Sequence, residues 1–123
     1  MLKEIAALWK DGGIMKEAVE TLSQMLKDAE YVYVHAWEAC TGEVNISETA
    51  KPLKKHDKAV NRGEREIRRM LVQHLSINPG QDTSGCLAVM NMAKDAERVG
   101  DHARNIFDLG VRCLLYTSDA ADE

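Results

Sequence analysis

Apolar residues recur every three or four positions along most of this chain, as they do on the buried face of an α-helix. The first long stretch predicts a helix over 14–40 that ends near Gly42, because glycine readily takes the left-handed conformation that follows many helices. A shorter apolar stretch over 2–9, before the Asp-Gly-Gly breaker, predicts a short N-terminal helical segment. The buried face of the long helix is expected to contain Ile14, Ala18, Met25, Ala29, Val32 and Ala36.

Two further helices are predicted by the same spacing. One should span 47–75, with Pro52 tolerated near its first turn and a Pro-Gly turn over 76–81 ending it. Its apolar stripe is Leu53, Val60, Ile67 and Leu71. The other should span 84–109, with Gly110 as its stop and a face formed by Val89, Met92, Ala96, Val99, Ala103 and Ile106. Long helices joined by short turns predict an all-α fold, an antiparallel three-helix bundle.

Composition supports this fold and excludes several functions. The 123 residues include only 5% aromatics, and a formal charge of -4 leaves no broad basic field for nucleic acid. The chain contains no apolar run long enough to span a membrane and no signal-peptide core, which favours a cytoplasmic protein without membrane insertion. The three cysteines form no CxxC pair, and Cys40 and Cys86 are predicted to be small buried residues.

The last residues, 113–123, read CLLYTSDAADE and resemble the translation of a transposase adapter used in sequencing libraries. We therefore expect a natural domain over 1–112, a non-native tail over 113–123, and a natural protein that continues beyond Arg112. Without Asp119, Asp122 and Glu123 the formal charge becomes -1. Acidity alone then carries no argument about function.

A ridge of polar side chains follows the third helix, on the side predicted to face away from its apolar stripe. Within this ridge, Glu97 and Asp101 lie one turn apart, close enough for their carboxylates to hold a hard cation. The second helix offers a weaker ridge that includes Asp57 and Asn61. Oxygen donors of this kind suit Mg, Ca, Mn or Fe. A charged stripe is more often a solvated surface, so the pattern alone leaves both interpretations open.

The segment 95–106 reads DAERVGDHARNI, which resembles the PhoU family signature D-x-E-R-I-G-D-x-A-x-N-I. The second helix is similar to the family's other acidic segment over 57–61, although Asn61 stands where a carboxylate is common. The resemblance spans 14–109. It implies a three-helix repeat that binds iron, manganese or magnesium, with Glu97 and Asp101 as the best ligands. Further ligands implied by the matching positions are Asp57, Asn61 and Asn105.

The resemblance also implies a role. PhoU proteins act as adaptors that link a phosphate transporter to a sensor histidine kinase, with negative regulation of the starvation response and no catalysis. They usually carry two repeats, so we expect the second to follow this one in the natural protein. An exposed repeat interface would favour a homodimer. The alternative is a metal-free helical interaction module, such as the cytoplasmic PhoU-like appendage of a sodium-phosphate cotransporter.

Two other bundle functions fit the sequence less well. A di-iron enzyme needs Glu-x-x-His pairs, and none of the four histidines has an acidic residue three positions before it. A histidine phosphotransfer domain needs an exposed histidine in mid-helix, whereas His74 lies near a helix end. We predict that all four histidines are surface or edge residues, and that the arginines over 62–69 form a solvated face offset by Glu64 and Glu66.

Overall fold

The computed structural model describes residues 2–3 and 13–122, and these form three long α-helices. Helix α1 spans Gly13–Cys40, α2 spans Ile46–Ile77 and α3 spans Thr83–Asp122. Each helix packs against the other two. The predicted all-α three-helix bundle is therefore confirmed. Leu2 and Lys3 are helical, but the rest of the predicted N-terminal segment lies outside the described residues.

The helix ends follow the local sequence signals. Helix α1 stops before Gly42, which has a φ of 78°. Asn45 then caps α2 by accepting a hydrogen bond from the Glu48 backbone N–H at 3.2 Å. Pro52 lies in the second turn of α2, which begins one residue earlier than predicted, and its missing N–H leaves the Glu48 carbonyl without its helical donor. The short turns place consecutive helices antiparallel.

The apolar core has two parts, one near each end of the bundle. The predicted stripes of α1 and α2 lie in it, and Leu53, Val60 and Ile67 are fully buried. The larger cluster extends from Met15 to Ala96 through all three helices. The smaller cluster contains Val32, Ala36, Ala39, Leu53, Ala103 and Phe107. Along each helix the two clusters meet near a position that carries no apolar side chain: Asp28 in α1, Asp57 in α2 and Gly100 in α3.

The predicted apolar face of α3 is partly wrong. Val99 and Ile106 are 48% and 46% exposed, whereas Phe107 is 2% exposed. The core side of α3 is instead lined largely by small residues, among them Ala93, Ala96 and Ala103. Small side chains let α3 approach the other helices closely, and that rotates the larger β-branched residues out of the core.

The predicted stop of α3 at Gly110 is also wrong, because the helix continues to Asp122. Gly110 instead allows α1 and α3 to pack closely, because a Cβ at this position would lie only 2.7 Å from the Cys40 sulfur. Cys40 is exposed rather than buried, and its thiol donates to the Ile106 carbonyl at 3.3 Å. Cys86 is buried as predicted. Among the described residues, no helix combines the length and the apolarity needed to cross a lipid bilayer.

Candidate metal centre

The two polar ridges predicted on α2 and α3 meet at a buried aspartate. Asp57 is 1% exposed, and its Oδ2 accepts a hydrogen bond from Arg104 Nη1 at 2.9 Å. Its Oδ1 is buried without a hydrogen-bond partner. This oxygen points towards Gly100, where a Cβ would lie 3.8 Å away. The helix interface therefore contains a buried hydrogen-bond acceptor that has no donor, and burying such an atom costs free energy.

Glu97 and Asp101 form a half-buried carboxyl pair on α3, beside Asp57. The ammonium of Lys94 lies 3.0 Å from Glu97 Oε2, and this hydrogen bond, more than the one with Asp101, lowers the Glu97 pKa. The pKa of Asp101 is raised, first by burial, then by its hydrogen bond to Glu97, and further by the charges of Glu97 and Asp57. A negative charge on Asp101 is therefore less favourable in the folded protein than in the unfolded chain.

The ridge on α3 does not face away from the core as predicted, because its acidic pair lies partly buried against α2. The structure thus brings Asp57, Glu97 and Asp101 to one side of the bundle. Asn61 is half-buried one turn beyond Asp57, and Asn105 is exposed. Within the described residues, no group of three or more His, Cys, Asp or Glu side chains is arranged to hold a metal ion. The five ligands named from the sequence stay a prediction.

Sequence reasoning missed Arg104, although this residue lies inside the signature-like segment. Spacing along a single helix could not reveal that its guanidinium pairs with a carboxylate 47 positions earlier. The helix-two ridge is also neutralised in part by an ion pair between Glu64 and Arg68. Both ridges therefore carry cations that offset their carboxylates.

The histidine prediction holds for some positions only. His102 is exposed, whereas His74 is buried, with its Nε2 3.5 Å from Asp82 Oδ2. His56 is half-buried, and its Nδ1 lies 2.7 Å from Asp28 Oδ1. The ring of Tyr31 stacks on His56 and on His35, with centroid distances of 3.8 Å for each. His56 is thus held by a carboxylate from another helix, whereas the Nε2 of His74 is buried without a hydrogen-bond partner.

The raised pKa of Asp101 predicts a pH-dependent stability. The folded state binds the Asp101 proton more tightly than the unfolded chain, so this stabilisation is present at low pH and is lost as pH rises through the folded pKa. Asparagine resembles the protonated side chain at every pH. We expect Asp101→Asn to raise the free energy of unfolding by about 0.5 kcal/mol at pH 7, and the difference to vanish near pH 3. Urea unfolding at both pH values measures it.

The control for this prediction is Asp95→Asn on the same helix. Asp95 is exposed and lies 3.8 Å from Arg98, so it has an attractive neighbour instead of a repulsive one. This variant should be no more stable than the parent at pH 7. A parent chain as stable as Asp101→Asn at pH 7 would contradict the proposed repulsion.

Comparison with known proteins assigns the family. The sequence profile of the PhoU domain matches residues 15–109, which includes most of the bundle and every predicted ligand. Searches of curated proteins and of solved structures returned no significant match. PhoU proteins are regulators associated with phosphate transport and are not enzymes. Because the match covers more than half of the sequence, the chain belongs to the PhoU family.

Proposed function

We propose that this chain is a regulatory adaptor of phosphate transport and phosphate-starvation signalling whose Glu97–Asp101 pair binds a cation. The observation that carries the proposal is that the half-buried Glu97 and Asp101 lie beside the buried Asp57, whose Oδ1 has no hydrogen-bond partner. A cation between these carboxyl groups would replace a repulsive interaction with an attractive one.

The donor set decides which ions fit. Carboxylate oxygens with amide oxygens nearby suit Mg, Mn or Fe, and no thiolate lies among the proposed ligands. The unpartnered Oδ1 of Asp57 supports the fit, since it is an acceptor without a donor. Lys94 and Arg104 already neutralise Glu97 and Asp57. The residues therefore fit one exchangeable ion held by Glu97 and Asp101, with water completing its shell, better than a multinuclear cluster.

Such an ion would affect how the protein recognises a partner and would have no part in catalysis. Its binding would change the charge of the surface formed by α2 and α3, which an adaptor could present to a partner. The partners proposed from the family are a phosphate transporter and a sensor histidine kinase, which the chain would bind in the cytoplasm. The proposed effect is negative regulation of the phosphate-starvation response when phosphate is plentiful. A homodimer of the chain is a further proposed assembly.

The test is calorimetric titration of the full chain with Mg, Mn and Fe(II), beside Glu97→Gln/Asp101→Asn. We expect binding by the parent and at least about tenfold weaker binding by the double variant. Metal at about 100 times its dissociation constant should also stabilise the parent by about 2.7 kcal/mol in thermal unfolding. Asp95→Asn is the matched control and should bind like the parent.

A second function is a metal-free interaction module, such as a PhoU-like appendage of a sodium-phosphate cotransporter. It is favoured by the lack, in the described part of the chain, of any three-ligand group for a metal. The same titration separates the two. A parent chain that binds none of the three ions, or binds them as well as the double variant does, would reject the metal-dependent adaptor and leave the interaction module.

A further inference from the structure

Positive charge is concentrated on one helix of this acidic protein. Helix α2 contains eight lysines and arginines against four aspartates and glutamates, a net of +4, whereas the whole chain has a net of -4, or -1 without the predicted non-native tail. The contrast is large enough to give α2 its own electrostatic field. A concentrated field of one sign attracts ligands of the opposite sign.

Five of these cations line a single cleft. They follow one face of α2 at three- and four-residue steps, and the cleft between α1 and α2 has a volume of about 980 Å³. Four uncharged residues on its wall are small: Ser47, Ala50, Pro52 and Ala59. Small walls leave room for a peptide backbone to approach. The five cations are Lys51, Lys54, Lys55, Lys58 and Arg62.

The cleft also contains one carboxylate, which is hydrogen-bonded to neighbouring side chains. Asp28 is the only carboxylate among the described residues that line it, and its Oδ1 lies 2.7 Å from His56 Nδ1. The side-chain amide of Gln24 also donates to Asp28 Oδ2 at 3.4 Å. The cleft therefore contains one carboxylate against five cations, and hydrogen bonds hold that carboxylate in place.

We propose that this basic cleft binds an acidic segment of a partner protein. Its cations span positions 51 to 62, about 16 Å along a helix, which is several times the width of a single phosphate. An extended chain with repeated carboxylates matches that length. A membrane surface fits less well, because the apolar residues that would insert into lipid are missing from the cleft walls, and the apolar face of α2 is buried in the bundle.

The biological meaning of this cleft rests on the proposed adaptor role, but the site itself is separate from the proposed metal centre. The cleft lies on the α1 side of α2, whereas Glu97 and Asp101 lie on the α3 side. Glu97→Gln/Asp101→Asn should therefore leave peptide binding unchanged. Failure of one proposal does not entail failure of the other.

The experiment measures fluorescence anisotropy of a labelled peptide with six glutamates spaced by glycine and serine, at about 0.1 M salt. The full chain should bind it, and Lys54→Glu/Lys58→Glu should weaken binding at least about tenfold. The same peptide with glutamines should not bind. Lys54→Gln/Lys58→Gln is a milder pair that should weaken binding several-fold, and thermal unfolding checks that each variant is folded.

The matched control is Arg65→Glu/Arg69→Glu, which makes the same charge change at the same spacing on the same helix. Both arginines are exposed and lie outside the cleft. This pair should change binding by less than about twofold. Equal weakening by both pairs would show general attraction to charge and overturn the proposal. The proposal would also be overturned if the parent chain did not bind the peptide but bound vesicles of phosphatidylserine and phosphatidylcholine through Lys54 and Lys58.

Discussion

Replacing Arg104 with alanine is expected to lower the free energy of unfolding by about 2–3 kcal/mol. The change removes the hydrogen bond that the carboxylate of Asp57 accepts from Arg104, and leaves both oxygens of this 1% exposed residue without a partner. The Arg104 side chain is 44% exposed, so solvent screens it and the effect falls below that for a fully buried ion pair. Urea unfolding at pH 7 measures the loss.

Two further variants test the physical cause. Asp57→Asn combined with Arg104→Ala should recover more than half of the lost stability, because a neutral buried amide costs less than an unpaired carboxylate. Arg98→Ala, on the same helix, should stay within about 0.5 kcal/mol of the parent, because Arg98 is exposed and its ion pair is long. If Arg104→Ala costs no more than Arg98→Ala, the buried pair does not stabilise the fold.

Phe107→Ala is expected to destabilise the protein by about 3–5 kcal/mol, the largest effect predicted for a single substitution here. Phe107 is 2% exposed and packs in the smaller core cluster with Leu53 and Ala103. Ile106→Ala, one residue earlier, should cost less than about 1 kcal/mol because Ile106 is 46% exposed. Thermal or urea unfolding of both variants measures the difference. The opposite ranking would mean that the apolar stripe predicted from the sequence is the true core face.

The first two helices could be predicted closely because their apolar side chains are large and regularly spaced. Leu53, Val60 and Ile67 stand on one face of a helix whose remaining surface carries most of its charged residues, so one rotation of α2 satisfies the pattern. Helix α3 is ambiguous, since alanine and glycine contribute little to an apolar stripe. Its core face is formed largely by Ala93, Ala96 and Ala103 together with Phe107, and this face depends on close packing that apolar spacing does not show.

The residue types of the candidate site could be predicted from the sequence, but not all of the cations that pair with its carboxylates could be. Spacing along α3 placed Glu97 and Asp101 one turn apart, and the raised pKa of Asp101 follows from that neighbourhood and from burial. Lys94, which offsets Glu97, lies three positions away on the same helix, but the partner of Asp57 comes from tertiary packing. No periodicity links Arg104 to Asp57, or His56 to Asp28, because these pairs depend on how the helices are placed beside one another.

The apolar core is interrupted at Asp28, Asp57 and Gly100, and this interruption affects how the helices align along one another. Apolar stripes alone allow helices to slide by one turn with little loss, because alanine and valine contacts are interchangeable. A slide of α3 by one turn along α2 would separate Asp57 from Arg104 and place its carboxylate against side chains without a donor. The Asp57–Arg104 pair therefore penalises this slide of α3 along α2 and contributes to the uniqueness of the alignment, which the apolar contacts alone do not specify.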